Sequence, residues 1–562
     1  MVANRWPSVS LALLGATLLL GSGGDIAAAR SLVDRPVIWH EKDRQSISEP
    51  TEREPNMLWD MFDDSVLLPT GRLLRPGNIV RRVGTLFGGD HVPPAANVNR
   101  LDEVPNCTWF TNRIGLFPMS PESAAQGPGP GTGPDLRGPW TIISAKTEGV
   151  TPGFVIRDQA GGVFLIKFDP PGELGMTTAA GVISGRILHA AGYNVPDDAV
   201  VVFRREDLIL GEDVSLKLPS GSRRRMVKED VDQVLSSVTP QEDGSYRAIS
   251  SRYLDGAPVG PFNYIGRRRD DPNDRIKHQH RRELRGLRVF AAWLNHFDTK
   301  QHNSLDVFVE TPEGNYVRHY LIDFASTLGC GANGAYPRNG FEHTVDPVPI
   351  FGRILALGLH QDDWRRLQRP AGLDEIGYFE SKLFDPLEFK PLQPNSAFAY
   401  MTDRDAYWAA KIISAFTEEQ LTAIVDEARY RNPDAARYMV RTLCERRDKI
   451  ARCYFDRMPP LDFFVCVDGA VTFHDLGVER AIYPETQSRY RARTSVVDEE
   501  GHVNGWSEWA ELSTLEIPII EPASTRFPFV GVECQVDRGS GWSRPVRAYV
   551  SRRLRQVVAI ER

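Results

Sequence analysis

A chain of 562 residues, 41% hydrophobic and 25% charged, has an ordinary globular composition and is too long for one compact unit, so two or three domains are expected. Its net charge of −7 excludes a general nucleic-acid binder. The basic runs Arg223–Arg225, Arg267–Arg269 and Arg281–Arg282 read as solvated faces.

The N-terminus carries Arg5, an apolar run from Leu11 to Gly21 and then Ala27-Ala28-Ala29. That order predicts a secretory signal peptide over 1–29 and a secreted or periplasmic protein. The run is too short to span a bilayer comfortably, and no Cys lies near it to carry a lipid. The six cysteines, Cys107, Cys330, Cys444, Cys453, Cys466 and Cys534, are compatible with disulfides in an oxidising compartment. None forms a C-x-x-C pair, so spacing indicates no zinc site. Cys444 and Cys453 share a predicted helix and would lie roughly 13 Å apart, too far to bond each other.

Residues 30–138 read as an N-terminal extension that wraps the first lobe. It ends in a Gly- and Pro-rich linker over 115–138 that includes Gly127-Pro-Gly-Pro-Gly-Thr-Gly-Pro134.

Three strands then follow, Trp140 to Ala145, Phe154 to Arg157 and Val163 to Phe168. With a side-chain period of two, Val163, Leu165 and Lys167 share one face of the third strand. Between the first two strands, Gly149, Thr151 and Gly153 form a loop whose amides and hydroxyl suit phosphate oxygens. A helix is predicted over Met176 to Ala191, interrupted by Gly181. From Leu174 through Pro196 there is no Asp or Glu.

An apolar helix from Leu284 to Leu294 leads into a polar loop, His296-Phe-Asp298-Thr-Lys300-Gln-His-Asn303. A hairpin turns at Pro312–Asn315 and returns to Asp323-Phe324. This arrangement resembles the catalytic loop and metal-binding Asp of the protein-kinase-like superfamily. Its other details resemble the atypical HipA-type, CotH-type, secretory-pathway and phosphoinositide-kinase-like members. His296 and His302 read as structural loop histidines.

The resemblance implies an α+β, two-lobed atypical kinase-like fold. Its small lobe would span 139–280 and its helical large lobe 281–460. It also implies roles. Asp298 is the catalytic Asp and Lys300 supports the γ-phosphate. Asn303 and Asp323 hold Mg²⁺ or Mn²⁺, and Lys167, Gly149, Thr151 and Gly153 hold ATP. Active kinases pair the strand lysine with a helix Glu. That Glu is absent here, leaving Glu173 or an acid between Glu206 and Asp213 as substitutes. No A-P-E sequence ends the segment after Asp323.

Large-lobe helices are predicted at Asp362–Leu367, Asp405–Ala415, Glu418–Tyr430 and Asp434–Phe455. From Leu461 the texture becomes short alternating runs, with Gly505-Trp-Ser-Glu-Trp509. Residues 461–562 resemble a fibronectin type III or similar all-β sandwich-like module, with Trp506 and Trp509 as anchors.

The function implied is a secreted Mg²⁺-dependent ATP phosphotransferase, with a protein, glycan, lipid or small molecule as acceptor. The alternative is an inactive pseudokinase that serves as a scaffold and contacts envelope components through its C-terminal module.

Overall fold

The computed structural model describes residues 32–54, 92–145, 152–217, 222–344, 346, 362–519 and 526–562. Gly149 and Thr151 of the expected phosphate loop, and the expected signal peptide, lie outside these residues.

A short helix α1 (Pro121–Gln126) buries Ala124 and Ala125 within the stretch expected to be a linker. The first lobe contains β1 (Trp140–Ala145), β2 (Gly153–Arg157), β3 (Val163–Phe168), helix α2 (Met176–Ala191), β4 (Asp198–Phe203), β5 (Leu208–Leu210), a small β6–β7 ribbon (Ser215–Lys217, Arg223–Arg225), α3 (Lys228–Ser236) and β8 (Tyr246–Arg252). Its six-stranded sheet runs β4-β8-β3-β2-β1-β5 and is antiparallel except for β1–β5.

Alternation decides what each face of β3 does. Phe164, Ile166 and Phe168 point into a core with Trp140, Phe154, Phe203 and, from α3, Val231 and Leu235. Val163, Leu165 and Lys167 are left on the opposite face, which is half-buried. Helix α2 lies across that second face, with Val182 packed on Val200 and Ile249. It is not broken at Gly181 as expected. A Cβ there would stand 2.6 Å from Ile249 Cδ1, so the glycine permits close helix–sheet approach.

The short β9 (Ala257–Pro258) leads to α4 (Arg282–Leu294) and to the hairpin β10 (Ser304–Thr311) and β11 (Gly314–Leu321), paired from Ser304↔Leu321 to Thr311↔Gly314. Helices α5 (Asp403–Ile413), α6 (Glu418–Asp426) and α7 (Pro433–Arg457) complete the second lobe. Only a 3₁₀ turn, Asp363–Arg366, forms where the first of the four helices was expected.

The second core joins Phe290 and Trp293 of α4 to Trp408 of α5, Leu443 and Ile450 of α7, and Ile183 and Ile187 of α2. Helix α2 thus belongs to both lobes. The Arg281–Arg282 run is not solvated: both side chains are buried. Arg282 Nε lies 3.1 Å and Arg285 Nη1 3.2 Å from the two oxygens of buried Asp405. Buried charges of this kind persist only when paired. The α+β, two-lobed architecture expected from the sequence is present.

The remaining strands are β12 (Leu461–Val467), β13 (Ala470–Asp475), β14 (Arg489–Val497), β15 (Ala510–Leu512), β16 (Glu516–Pro518), β17 (Phe529–Asp537), β18 (Val546–Ser551) and β19 (Gln556–Glu561). They form two antiparallel sheets, β12-β13-β16 and β15-β14-β17-β18-β19, which share one core containing Phe473, Ile517, Val532 and Ala548.

On this unit the arginines of Arg489-Tyr-Arg-Ala-Arg493 alternate with indoles. Arg491 stacks on Trp542 (4.3 Å) and Trp509 (4.5 Å), and Arg493 on Trp509 (4.4 Å) and Trp506 (5.0 Å). The unit is fastened to α5 through buried Asp462, which accepts from Tyr407 (2.9 Å), Lys411 (3.1 Å) and Arg562 (2.9 Å).

Residues 32–54 form a strap over these parts. Leu32 enters a core with Phe529 and Tyr549, and the Ile47 and Arg53 amides donate to Asn315 and Val259 carbonyls. None of the six cysteines is disulfide-bonded. Cys107 and Cys330 are buried in the large core and Cys534 in the C-terminal one.

Candidate active site

Lys167 sits opposite Gly153 on β2 and Ile249 on β8. The last residue of the expected phosphate loop is therefore beside the lysine. Its Nζ lies 3.1 Å from Asp323 Oδ1; the two side chains are 18% and 43% exposed. A half-exposed pair of this kind adds little stability, so its interest is positional.

Asp323 reaches this point because β11 runs directly out of the hairpin. The Ile322 amide bonds the Asn303 carbonyl at 3.0 Å, and Asp323 then adopts φ +60°. A left-handed non-glycine residue costs on the order of 1 kcal/mol or more, and such strain clusters at functional sites.

The loop before the hairpin is a closed knot. Asn295 caps α4 at φ +47°. Lys300 Nζ lies 3.0 Å from Asp298 Oδ2. Asn303 Nδ2 donates to the Asp298 carbonyl (2.8 Å) and to Oδ2 (3.1 Å). With that amide nitrogen committed, Asn303 Oδ1 is the side chain's remaining acceptor. Asn395 braces the loop by donating to the Thr299 carbonyl at 3.1 Å.

His296 is buried against Phe324, ring centroids 5.8 Å apart, and burial lowers its pKa. Its Nδ1 lies 3.4 Å from the Ser326 carbonyl. Phe324 and the segment after it are tied to α2: Thr327 Oγ1 donates to the Phe324 carbonyl (2.8 Å) and meets Ser184 Oγ (2.8 Å).

None of the acids proposed to stand in for a helix Glu (Glu173, or Glu206, Asp207, Glu212 and Asp213) pairs with Lys167 among the described residues; its ion pair is with Asp323. Glu173 Oε2 is 3.1 Å from Arg369. Asp207 accepts from the Arg204 amide at 2.6 Å.

A second acid that feels the Lys167 charge, besides Asp323, is Asp198 of β4, which sequence reasoning missed. It is buried, with Oδ1 unbonded among the described residues. Burial pushes its pKa up to about 7, against the opposing pull of the Ser251 hydroxyl and the Lys167 ammonium; Asp197 and Asp323 add to the rise. The one sequence signal was Asp197-Asp198 opening a strand of otherwise apolar residues.

Also missed was an apolar floor beside the loop. Leu254, Leu305 and Ile322 are partly buried together against Val307 and Tyr320.

No known family model matches this chain, and no curated protein matches it. Similar solved structures exist. One is the Helicobacter pylori proinflammatory kinase CtkA, 11% identical, covering 56% of this chain and 97% of that one at a TM-score of 0.30. Another is the Golgi casein kinase with Mn/ADP bound, 13% identical, covering 57% and 74% at a TM-score of 0.28. At scores this low, the reading of the cleft rests on its own side chains.

Proposed function

We propose that this chain is a phosphotransferase of atypical kinase type that uses ATP with Mg²⁺ or Mn²⁺. The contact that carries the reading is Lys167 Nζ to Asp323 Oδ1 at 3.1 Å, from the first lobe to the second. It joins a strand lysine to the carboxylate that follows the catalytic-loop hairpin.

Phosphoryl transfer asks mostly for positioning and charge neutralisation. Asp298 Oδ2 is held by Lys300 and Asn303, so Oδ1 is left to orient an acceptor hydroxyl and take its proton. As the acceptor oxygen bonds the γ-phosphorus, the bond to the bridging oxygen of ADP breaks. Lys300 neutralises the phosphoryl group in passage. Lys167 exchanges its contact with Asp323 for the α- and β-phosphates. Leu254, Leu305 and Ile322 offer an apolar surface to a flat base.

Asn303 Oδ1 and the exposed Asp323 carboxylate form an all-oxygen donor set, which suits a hard divalent cation. Bound there, the cation would neutralise phosphate charge.

The order of the C-terminal strands supports a fibronectin type III-like reading of 461–562: first, second and fifth in one sheet; fourth, third, sixth and seventh in the other; an eighth strand on the edge. The apolar run before Ala27–Ala29 supports reading 1–29 as a secretory signal peptide and the chain as one that acts outside the cytoplasm.

Radiolabelled phosphate transfer from ATP to the protein itself and to water tests the activity. Asp298→Asn is expected to lower turnover by about 10²–10⁴-fold while leaving nucleotide binding in place. Equal turnover in both forms would remove Asp298 from the chemistry. Nucleotide binding without turnover in the wild type would favour the scaffold reading.

A further inference from the structure

Where the strap over 32–54 crosses the segment around Cys107, far from the cleft residues in sequence, three side chains converge. Glu41, Asp43 and Cys107 each present a ligand atom, and these atoms lie within 4.8 Å of one another. Asp43 is 4% and Cys107 2% exposed.

The hydrogen bonding of the two carboxylates is one-sided. Asp43 Oδ2 accepts from the Thr108 amide (2.6 Å) and hydroxyl (2.8 Å). Glu41 Oε2 faces Arg281 Nη1 at 3.6 Å. The second oxygen of each, Asp43 Oδ1 and Glu41 Oε1, is buried and receives no donor from the described residues. Asn273, whose own Oδ1 is buried and unbonded among the described residues, lines the same adjoining cavity of about 400 Å³ as Glu41 and Asp43.

Buried oxygens are rarely left without a partner, because an unmet acceptor keeps its whole desolvation cost. Arg281 does not fill the gap: its Nη1 lies 3.2 Å from fully buried Glu283. Buried acceptors without donors call for a cation.

We propose that Glu41, Asp43 and Cys107 bind a divalent transition-metal ion of the zinc class, a site that fastens the N-terminal strap to the body of the protein. Two carboxylate oxygens and a thiolate form a mixed donor set that zinc accepts at four-coordinate sites. The sulfur disfavours Mg²⁺ and Ca²⁺, which take oxygen ligands. The adjoining cavity gives room for a water ligand. Binding releases the Cys107 proton to solvent, since the thiolate is the ligand. No C-x-x-C spacing announces the site because its ligands come from two segments of the chain.

The test is metal content and cobalt spectroscopy on the full chain. Zinc added alone and then dialysed should remain at one equivalent in the wild type and in Asp323→Ala, which removes a cleft ligand. Co²⁺ in its place should give a sulfur-to-cobalt charge-transfer band in the near ultraviolet.

Asp43→Asn keeps an oxygen for Thr108 but puts an NH₂ group where the free oxygen stood. It should fold, judged by its circular dichroism, and lose both the zinc and the band. Cys107→Ser should lose the band. A wild type that retains no zinc, or a cobalt spectrum without the sulfur band, overturns the proposal. So does zinc lost with Asp323→Ala and kept with Asp43→Asn.

Discussion

Lys167 and Asp323 meet at 3.1 Å although one stands on the third strand of the first lobe and the other follows the second lobe's hairpin. Replacing Lys167 with Met removes a charge-assisted contact to phosphate. The expected loss is about 1.5–3 kcal/mol of Mg·ATP binding, tenfold or more in Kd. Stability without ligand should change by no more than about 1 kcal/mol. Titration calorimetry and denaturant melts measure the two separately.

Asp198 gives the fold a pH dependence with a defined sign. Its carboxyl is raised from 3.8 to about 7 by burial, so between those values the folded state binds the extra proton. Its contribution is therefore fully present below pH 3.8 and is lost as pH rises through 7. Asp198→Asn should flatten the fall in stability between about pH 4 and 7 and be the more stable form at pH 8. Urea unfolding of both proteins across that range checks it; parallel curves would mean that Asp198 is ionised throughout.

Thr327 couples the segment after Asp323 to α2 through the buried Ser184 hydroxyl. Thr327→Val strands that hydroxyl and should cost about 1–3 kcal/mol. Ser184→Ala in the Thr327→Val background should cost less than it does alone, because the partner is already gone. A double-mutant cycle with no coupling would contradict the contact.

In the C-terminal module, Arg493 stacks between two indoles and donates to Glu533, a 1%-exposed carboxylate, at 2.7 Å. Arg493→Leu leaves Glu533 with Arg547 as its remaining arginine and should destabilise the module by about 1.5–3 kcal/mol, the worth of a hydrogen bond to a charged group. Tryptophan emission reports the loss, since Trp506 and Trp509 lose a stacked cation. Arg493→Lys keeps the charge without the planar stack and should fall between the two.

The parts legible in the sequence were those set by local periodicity. Alternation over Val163–Phe168 put Lys167 on the face away from the core. The apolar run into Asn295 and the turn at Pro312–Asn315 marked a helix, a loop and a hairpin that runs on to Asp323.

What the sequence hid depends on pairing between distant segments. Asp198 reaches the lysine's face only because β4 pairs with β8, which pairs with β3. Arg281 and Arg282 read as solvated because their partners, Glu283 apart, come from other segments: Glu41, Asp102 and Asp405. Gly181 read as a helix break, whereas the fold uses it as a contact point against Ile249.

A thermal melt asks whether Lys167 and Asp323 together hold a metal-bound nucleotide. Mg²⁺ with ATP at one hundred times Kd should stabilise the wild type by about 2.7 kcal/mol and leave the midpoint of Asp323→Ala unmoved. An equal rise in both proteins, or none in the wild type, would contradict it.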